Sequence, residues 1–405
     1  MRRPHRPFVH VGTTAAIVIG SVALILLIAR LLLPVAVGRY VNRKLNEIHG
    51  YEGHIDGVSI HLWRGAYSIR RPRLDKVGGG VPVPFFSARK IDLALDWGRL
   101  FHGAAVGRID FYEPRINIVE GPTEATRQEG ADPQSVADRV RDLFPLRIDR
   151  LTIRDGELHF RAFHGEPKVD VYLQRIDAVA HNLTNSKKVS RSLMASLVAD
   201  GRAMHSGRFK VWAKIDPVAR HPTFDLAVEL VDLHLPELNS LFEHYLDVQV
   251  KDGTFGLFTE CAAKEGEFRG YVKPIVKNLD VVKLKPEKKS VGEAIKGFFV
   301  KIGAWIFKNR SKQQLATRVE LSGRFDQPKP DVWKAIVSFL ENAFIRALPA
   351  QLEPEHEAAK VGLPETGTLH GPKTPKQVDV QRSAEDELHA IDRETERAHE
   401  HRSRR

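Results

Sequence analysis

The sequence predicts a mainly β protein held to a membrane by an N-terminal transmembrane helix. Three observations carry that prediction. Val11 to Ala29 contains no charged residue, much of the chain alternates apolar and polar side chains, and four Asp-Gly pairs punctuate the alternating segments. Period-two alternation separates the faces of a half-buried strand, and Asp-Gly supplies the positive φ that tight β connections require. The expected architecture is therefore mostly antiparallel β, with one apolar face.

After Arg30 the apolar character of the first span resumes through Val37. A stretch of that length crosses the ~30 Å hydrocarbon core as a helix, with Arg30 snorkelling near one end. A cleaved signal peptide ending at Ala36-Val37-Gly38 competes with this reading. Its apolar region would exceed the usual ~7–15 residues, which favours an uncleaved anchor over residues 11–37 behind a basic segment, 1–10. Arg2, Arg3 and Arg6 precede the span and Arg39, Arg43 and Lys44 follow it, so charge does not orient it.

From Gly53 to Val119 short strands are expected. Asp56-Gly57 would set Ile55 against Val58, and Ile91 to Trp97 alternates apart from Ala94. Gly78-Gly79-Gly80 lacks the Lys-Ser/Thr and the helix start of a phosphate cradle, so with Pro82 and Pro84 it reads as a loop. Pro133 to Phe144 spaces Val136, Val140 and Phe144 as a short amphipathic helix.

The best-sorted stretch runs from Leu146 to Phe160 and reads as a hairpin turning at Asp155-Gly156. Its pairs would be Arg154 with Glu157, Ile153 with Leu158, Thr152 with His159 and Leu151 with Phe160. Leu151, Ile153, Leu158 and Phe160 then share an apolar face. Val106 to Val119 looks like a looser copy, and Lys168 to Val179 adds a strand. Turns are expected at Asp200-Gly201 and Ser206-Gly207. Phe209, Val211 and Ala213 line one face of the next segment; Phe224, Leu226 and Val228 repeat the pattern. After a helical interruption at Pro236 to Leu246, Asp252-Gly253 rebuilds the hairpin, pairing Val250 with Phe255 and Val248 with Leu257.

Two amphipathic helices are expected later. In Val291 to Lys308, Phe298, Phe299 and Ile302 lie on an apolar stripe, with Lys296, Lys301 and Lys308 largely off it. That pattern suits a helix lying in a membrane interface and equally one packed on the sheet. Asp331 to Leu348 carries Trp333, Ile336, Val337, Leu340 and Phe344 on a stripe suited to core packing. Beyond Pro349 the composition changes, and residues 351–405 read as a charged linker and a disordered or helical tail.

Little of the sequence points to catalysis. The +11 formal charge favours anionic partners, a membrane surface or nucleic acid, but no compact basic arm or nucleic-acid motif accompanies it, so nucleic acid is not expected. Cys261 is the only cysteine, which excludes an internal disulfide and a thiolate metal cage. His356-Glu357-Ala358-Ala359-Lys360 has Lys where a zincin helix needs its second His, and His389, His399 and His401 sit in a solvated, charged setting. No nucleophile elbow, P-loop or dinucleotide fingerprint is present. No enzyme activity, cofactor or metal is expected.

Three stretches carry a family resemblance: Gly270 to Val281 (GYVKPIVKNLDV), Gln314 to Pro328 (QLATRVELSGRFDQP) and Asn342 to Leu348 (NAFIRAL). With the N-terminal span and Val58 to Leu62, they resemble a bacterial AsmA-like family of uncharacterised envelope proteins over roughly residues 10–350. The resemblance implies an inner-membrane anchor, a periplasmic body over residues 38–350, and an elongated curved β-sheet with an apolar groove akin to chorein-type bridge-like lipid-transfer proteins. The implied cargo is glycerophospholipid moving toward the outer membrane. The groove candidates are Leu151, Ile153, Leu158, Phe160, Phe209, Val211, Ala213, Phe224, Leu226, Val228, Val248, Val250, Phe255 and Leu257. About 16 strands at ~4.8 Å would make a sheet of roughly 75 Å, short for a bridge, so an envelope partner or self-assembly would complete the path. The alternative is an envelope scaffold or assembly factor without lipid cargo.

Overall fold

Alternating segments dominate the chain, and in the computed structural model they form one 17-stranded open sheet. The structure describes residues 20–21, 32–43, 45–48, 50–61, 66–78, 80–95, 106–123, 126–128, 147–183, 195–216, 221–284, 314–316, 318–325 and 391. The first strands come as halves of longer ones: β1 (Tyr51–His54) and β2 (Gly57–His61), β3 (Ala66–Arg70) and β4 (Arg73–Lys76), β5 (Phe86–Ser87) and β6 (Lys90–Leu95), β7 (Val106–Tyr112) and β8 (Arg115–Glu120). On one side of the break β1, β4, β5 and β8 pair in that order; on the other, β2, β3, β6 and β7. Both ladders end on β9 (Arg147–Ala162), which takes β7 along its first half and β8 along its second, both parallel.

From β9 the chain meanders, each strand antiparallel to the last. The order is β10 (Val169–Leu183), β11 (Ala195–Ala203), β12 (Gly207–Ile215), β13 (Phe224–His234), β14 (Val248–Lys264) and β15 (Glu267–Lys283). Beyond β15 lie β16 (Gln314–Ala316) and β17 (Val319–Arg324). Between β13 and β14 a 3-10 turn, Leu235–Leu238, leads into helix α1, Asn239–Leu246, at the expected interruption.

The Asp-Gly pairs do not reverse the chain as expected. Asp155-Gly156 lies inside β9, Asp200-Gly201 inside β11 and Asp252-Gly253 inside β14, while Asp56-Gly57 marks the break between β1 and β2. Ile153 pairs with Ala178 and Leu158 with Leu173, not with each other; Val250 pairs with Val281 and Phe255 with Val276. Asp155 has φ 54° and Gly253 φ 145°, and register shifts flank both sites or their partners. These are irregularities within long strands, where an extra residue bends the strand. A positive φ satisfies a type I′ turn and a bulge alike, and the long-range partner chooses between them.

The breaks align. Ile153 and Leu158 are separated by an odd interval, yet both sit in apolar rows of the same sheet face, because the irregularity restores the phase. The same odd step joins Val58 to Gly53, Ile69 to Leu74, Ile91 to Phe86, Phe111 to Ile116 and Ala178 to Leu173. The result is a crease running across six neighbouring strands.

The expected span over residues 11–37 falls mostly outside the described residues, and among those described no helix is long and apolar enough to cross a membrane. Residues 32–43 are helical, as are 45–46. One side of this segment, Val37, Val41 and Leu45, packs on Ile55, Val58, Ile69 and Leu93. Asn42 Oδ1 accepts from the Ile55 amide at 3.0 Å and Asn46 Oδ1 from the Gly53 amide at 2.7 Å, which fixes the helix to the edge of β1. Gly53 is required here: a Cβ would lie 2.2 Å from Leu45 Cβ. The helices expected at 133–144, 291–308 and 331–348 lie outside the described residues.

Candidate functional site

Residues paired directly across a ladder share a face, so the register can be followed from edge to edge. One row reads Ile60, Tyr67, Leu93, Ile109, Leu151, Ala180, Leu197, Ala213, Leu226, Cys261, Gly270, Leu321. The adjacent row reads Val58, Ile69, Ile91, Phe111, Ile153, Ala178, Ala199, Val211, Val228, Thr259, Val272, Val319. Across twelve strands these rows contain no charged residue. At ~4.8 Å between strands they run on the order of 50 Å.

The opposite face is of a different kind. Between the same two rows it presents Ser59, Ser68, Asp92, Asp110 and Thr152. Its apolar patch, Val179, Val198 and Trp212, is covered by Ile391 from the C-terminal segment. The asymmetry follows from the alternation in each strand, kept in phase by the crease.

The described elements cover the apolar face at two places. Val37, Val41 and Leu45 lie over β2, β3 and β6 at one edge. The 3-10 turn and α1 lie over another part, with Leu235 and Phe242 on Val248, Val250 and Val276, and Leu241 and Tyr245 on Ala162 and Val169. Leu151, Ile153, Leu158, Phe160, Phe209, Val211, Val228, Phe255 and Leu257 are half-buried, Phe160 and Phe255 against this second covered part and Val211, Val228 and Leu257 against the cluster around Phe224. Ile116, in line with Leu158, is 37 % exposed. By contrast Ala213, Phe224 and Leu226 are sealed with Cys261 and Leu321 at 1–6 % exposure.

The polar atoms on this face are neutralised. Thr259 Oγ1–H donates to the Tyr271 carbonyl at 2.7 Å, and burial pushes the Cys261 thiol up to about 12, so it stays protonated. Burial likewise raises Tyr67 to about 12. Such a surface offers non-directional apolar burial, worth roughly 25 cal/mol per Å².

At the crease the opposite face forms a charged cleft of about 1050 Å³, lined by Asp56, Arg71, Arg89, Glu113, Arg115 and Glu157 among others. Its charges are stitched together. Arg71 pairs with Asp56, Arg89 with Glu113 at 2.9 Å, and Arg115 with Glu157 at 2.5 Å. Beside it His159, 8 % exposed, sits between Asp170 at 2.8 Å and Glu157 at 3.1 Å. Burial opposes charge on the imidazole, but these two hydrogen bonds outweigh it and raise the His159 pKa. Hydrogen bonding to His159, with Arg115, draws Glu157 down to about 2. The cleft is a polar seam that closes over the aligned breaks.

All fourteen groove candidates therefore fall on the apolar side of their strands, nine half-buried and five, Ala213, Phe224, Leu226, Val248 and Val250, buried. Sequence reasoning missed the rows contributed by β2, β3, β6, β7, β10 and β11. The alternation of Ile91 to Leu95 and of Val106 to Tyr112 was the available signal. Phe298, Phe299, Ile302, Lys296, Lys301 and Lys308 lie outside the described residues, as do His389, His399 and His401. Comparison with known proteins returned no matching family model and no matching curated protein.

Proposed function

We propose that this chain is a membrane-anchored envelope protein that binds or transfers phospholipid, its acyl chains lying along the apolar face of the sheet, in the manner the AsmA-like resemblance implies. The observation that carries the reading is the pair of uncharged rows spanning twelve strands, in which Leu151, Ile153, Leu197, Ala199, Val211 and Val228 are only half-buried. An acyl chain gains ~0.8 kcal/mol per buried CH₂ without any directional contact. Rows of roughly 50 Å exceed the length one leaflet requires, about half of the ~30 Å bilayer core. On the first helix Leu32 is 62 % exposed and Val35 50 % exposed, while its other side grips the sheet. Apolar surface of that kind, shortly after the apolar stretch 11–29 and Arg30, fits a chain that leaves a bilayer and enters the sheet directly. Inner-membrane attachment with the body in the periplasm, and onward movement toward the outer membrane with a partner or by self-assembly, belong to the same proposal.

A photo-crosslinking amino acid placed in the full-length chain tests it, at Val211 on the apolar face and at the neighbouring Lys210 on the other. In native membranes, phospholipid adducts at position 211 and none at 210 are expected. Equal labelling of both positions, or none at 211, would refute lipid binding on this face. The second reading is an envelope scaffold whose apolar face packs on protein. It draws on the sealed cluster around Phe224 and Leu226, and predicts protein adducts at 211 in place of lipid.

A further inference from the structure

Away from the uncharged rows, three side chains of metal-binding type converge where α1 meets the sheet. Glu120 ends β8, His164 stands in the turn between β9 and β10, and His244 lies in the last turn of α1. One ligand atom from each falls within 4.8 Å of the others. Two ligands ~2.1 Å from a tetrahedral ion stand roughly 3.4 Å apart, so small side-chain movements would complete the geometry.

The surroundings favour an ion over a plain polar contact. Glu120 is 6 % exposed, and among the described residues its carboxylate makes no ion pair. It accepts a hydrogen bond from the Tyr245 hydroxyl. A buried carboxylate with neutral neighbours is costly, and a cation compensates it. His244 is 3 % exposed, and its Nδ1 faces the Pro167 carbonyl at 2.8 Å. A carbonyl only accepts, so the proton is on Nδ1 and the lone pair on Nε2, the arrangement in which metal-binding imidazoles are held by a second shell. The Nδ1 of His164 is buried and finds no hydrogen-bond partner among the described residues. Gly165, at φ 71°, brings the turn close: a Cβ there would sit 3.1 Å from His244 Cε1.

We propose that Glu120, His164 and His244 bind one divalent transition-metal ion, zinc by its donor set, clamping α1 onto the end of β8 and the β9–β10 turn. Two imidazoles and a carboxylate suit zinc and its neighbours and are poor hosts for calcium or magnesium, which prefer all-oxygen shells. The clamp would fix Leu241 and Tyr245 over Ala162 and Val169, and so fix one covered part of the apolar face.

The test uses the full-length chain, stripped with chelator and titrated with Zn²⁺ by calorimetry, and with Co²⁺ by visible absorption. One tight equivalent of Zn²⁺, Co²⁺ d–d bands of a four-coordinate site, and no response to Mg²⁺ are expected. His164→Ala and Glu120→Gln should each weaken Zn²⁺ at least tenfold and abolish those bands. His244→Ala removes a buried ring, so the half-buried His164 is the primary variant, with its chelator-treated melting curve compared against the parent to confirm folding. Failure to bind Zn²⁺, or binding and Co²⁺ spectra unchanged in folded His164→Ala and Glu120→Gln, would overturn the site.

Discussion

Val211→Glu separates an open apolar face from a sealed core. Val211 pairs with Ala199 and Val228 on the apolar face and is half-buried. Removing its partial burial costs about 1 kcal/mol, taken as half of the ~1.5–3 kcal/mol for a fully buried aliphatic side chain, while a carboxylate there reaches water. Ala213 lies two residues on, on the same face, at 1 % exposure among Phe224, Leu226 and Cys261. A carboxylate at that position enters an apolar cluster with no cationic partner among the described residues, for which a loss of roughly 4 kcal/mol or more is expected. Urea unfolding of the two variants measures the contrast, and native mass spectrometry of each measures retained phospholipid. Val211→Glu should keep most of the stability and lose most of the lipid. Equal destabilisation by the two substitutions, or full lipid retention in a folded Val211→Glu protein, would refute the reasoning.

Four further outcomes follow from named contacts. Gly53→Ala drives a Cβ into Leu45 and should loosen the first helix from β1, costing about 1–3 kcal/mol by thermal melting; Asn42→Ala, which removes the acceptor for the Ile55 amide, should cost about 1 kcal/mol. Gly270→Ala places a Cβ 2.3 Å from the Glu260 carbonyl, so a similar or larger loss is expected, and an unchanged melting temperature would show that the strands can part there without cost. The fourth is a pH dependence. His159 has a raised pKa, so its contribution is complete below the ordinary histidine value of ~6.5 and fades as pH rises through the folded value above it. Glu157 is drawn down from 4.5 to about 2, so its contribution is present above 4.5 and fades as pH falls toward 2. Melting temperature should therefore peak between these limits, and His159→Gln should remove the decline on the alkaline side; an identical alkaline limb in that variant would assign the decline elsewhere.

The sequence alone determined the β class, the alternation in each strand, the helical interruption after β13 and the face on which Leu151, Ile153, Leu158 and Phe160 lie. These are local properties, written in spacing and side-chain chemistry. Even the misread hairpin left the faces intact, because a turn and an irregularity at Asp155-Gly156 place Ile153 and Leu158 on one side alike. What the tertiary structure alone decided is partnership. β9 runs on through Asp155 and accepts β7 and β8 in parallel, the breaks of six strands line up as a crease, and the rows join into one surface. Glu120, His164 and His244 belong to the same category. Far apart in sequence, they carry no motif, and they meet only because the end of β8, one turn and the last turn of α1 close on a common point. Spacing fixes which face a side chain takes; which other side chain it finds there depends on long-range pairing, and no local signal encodes that.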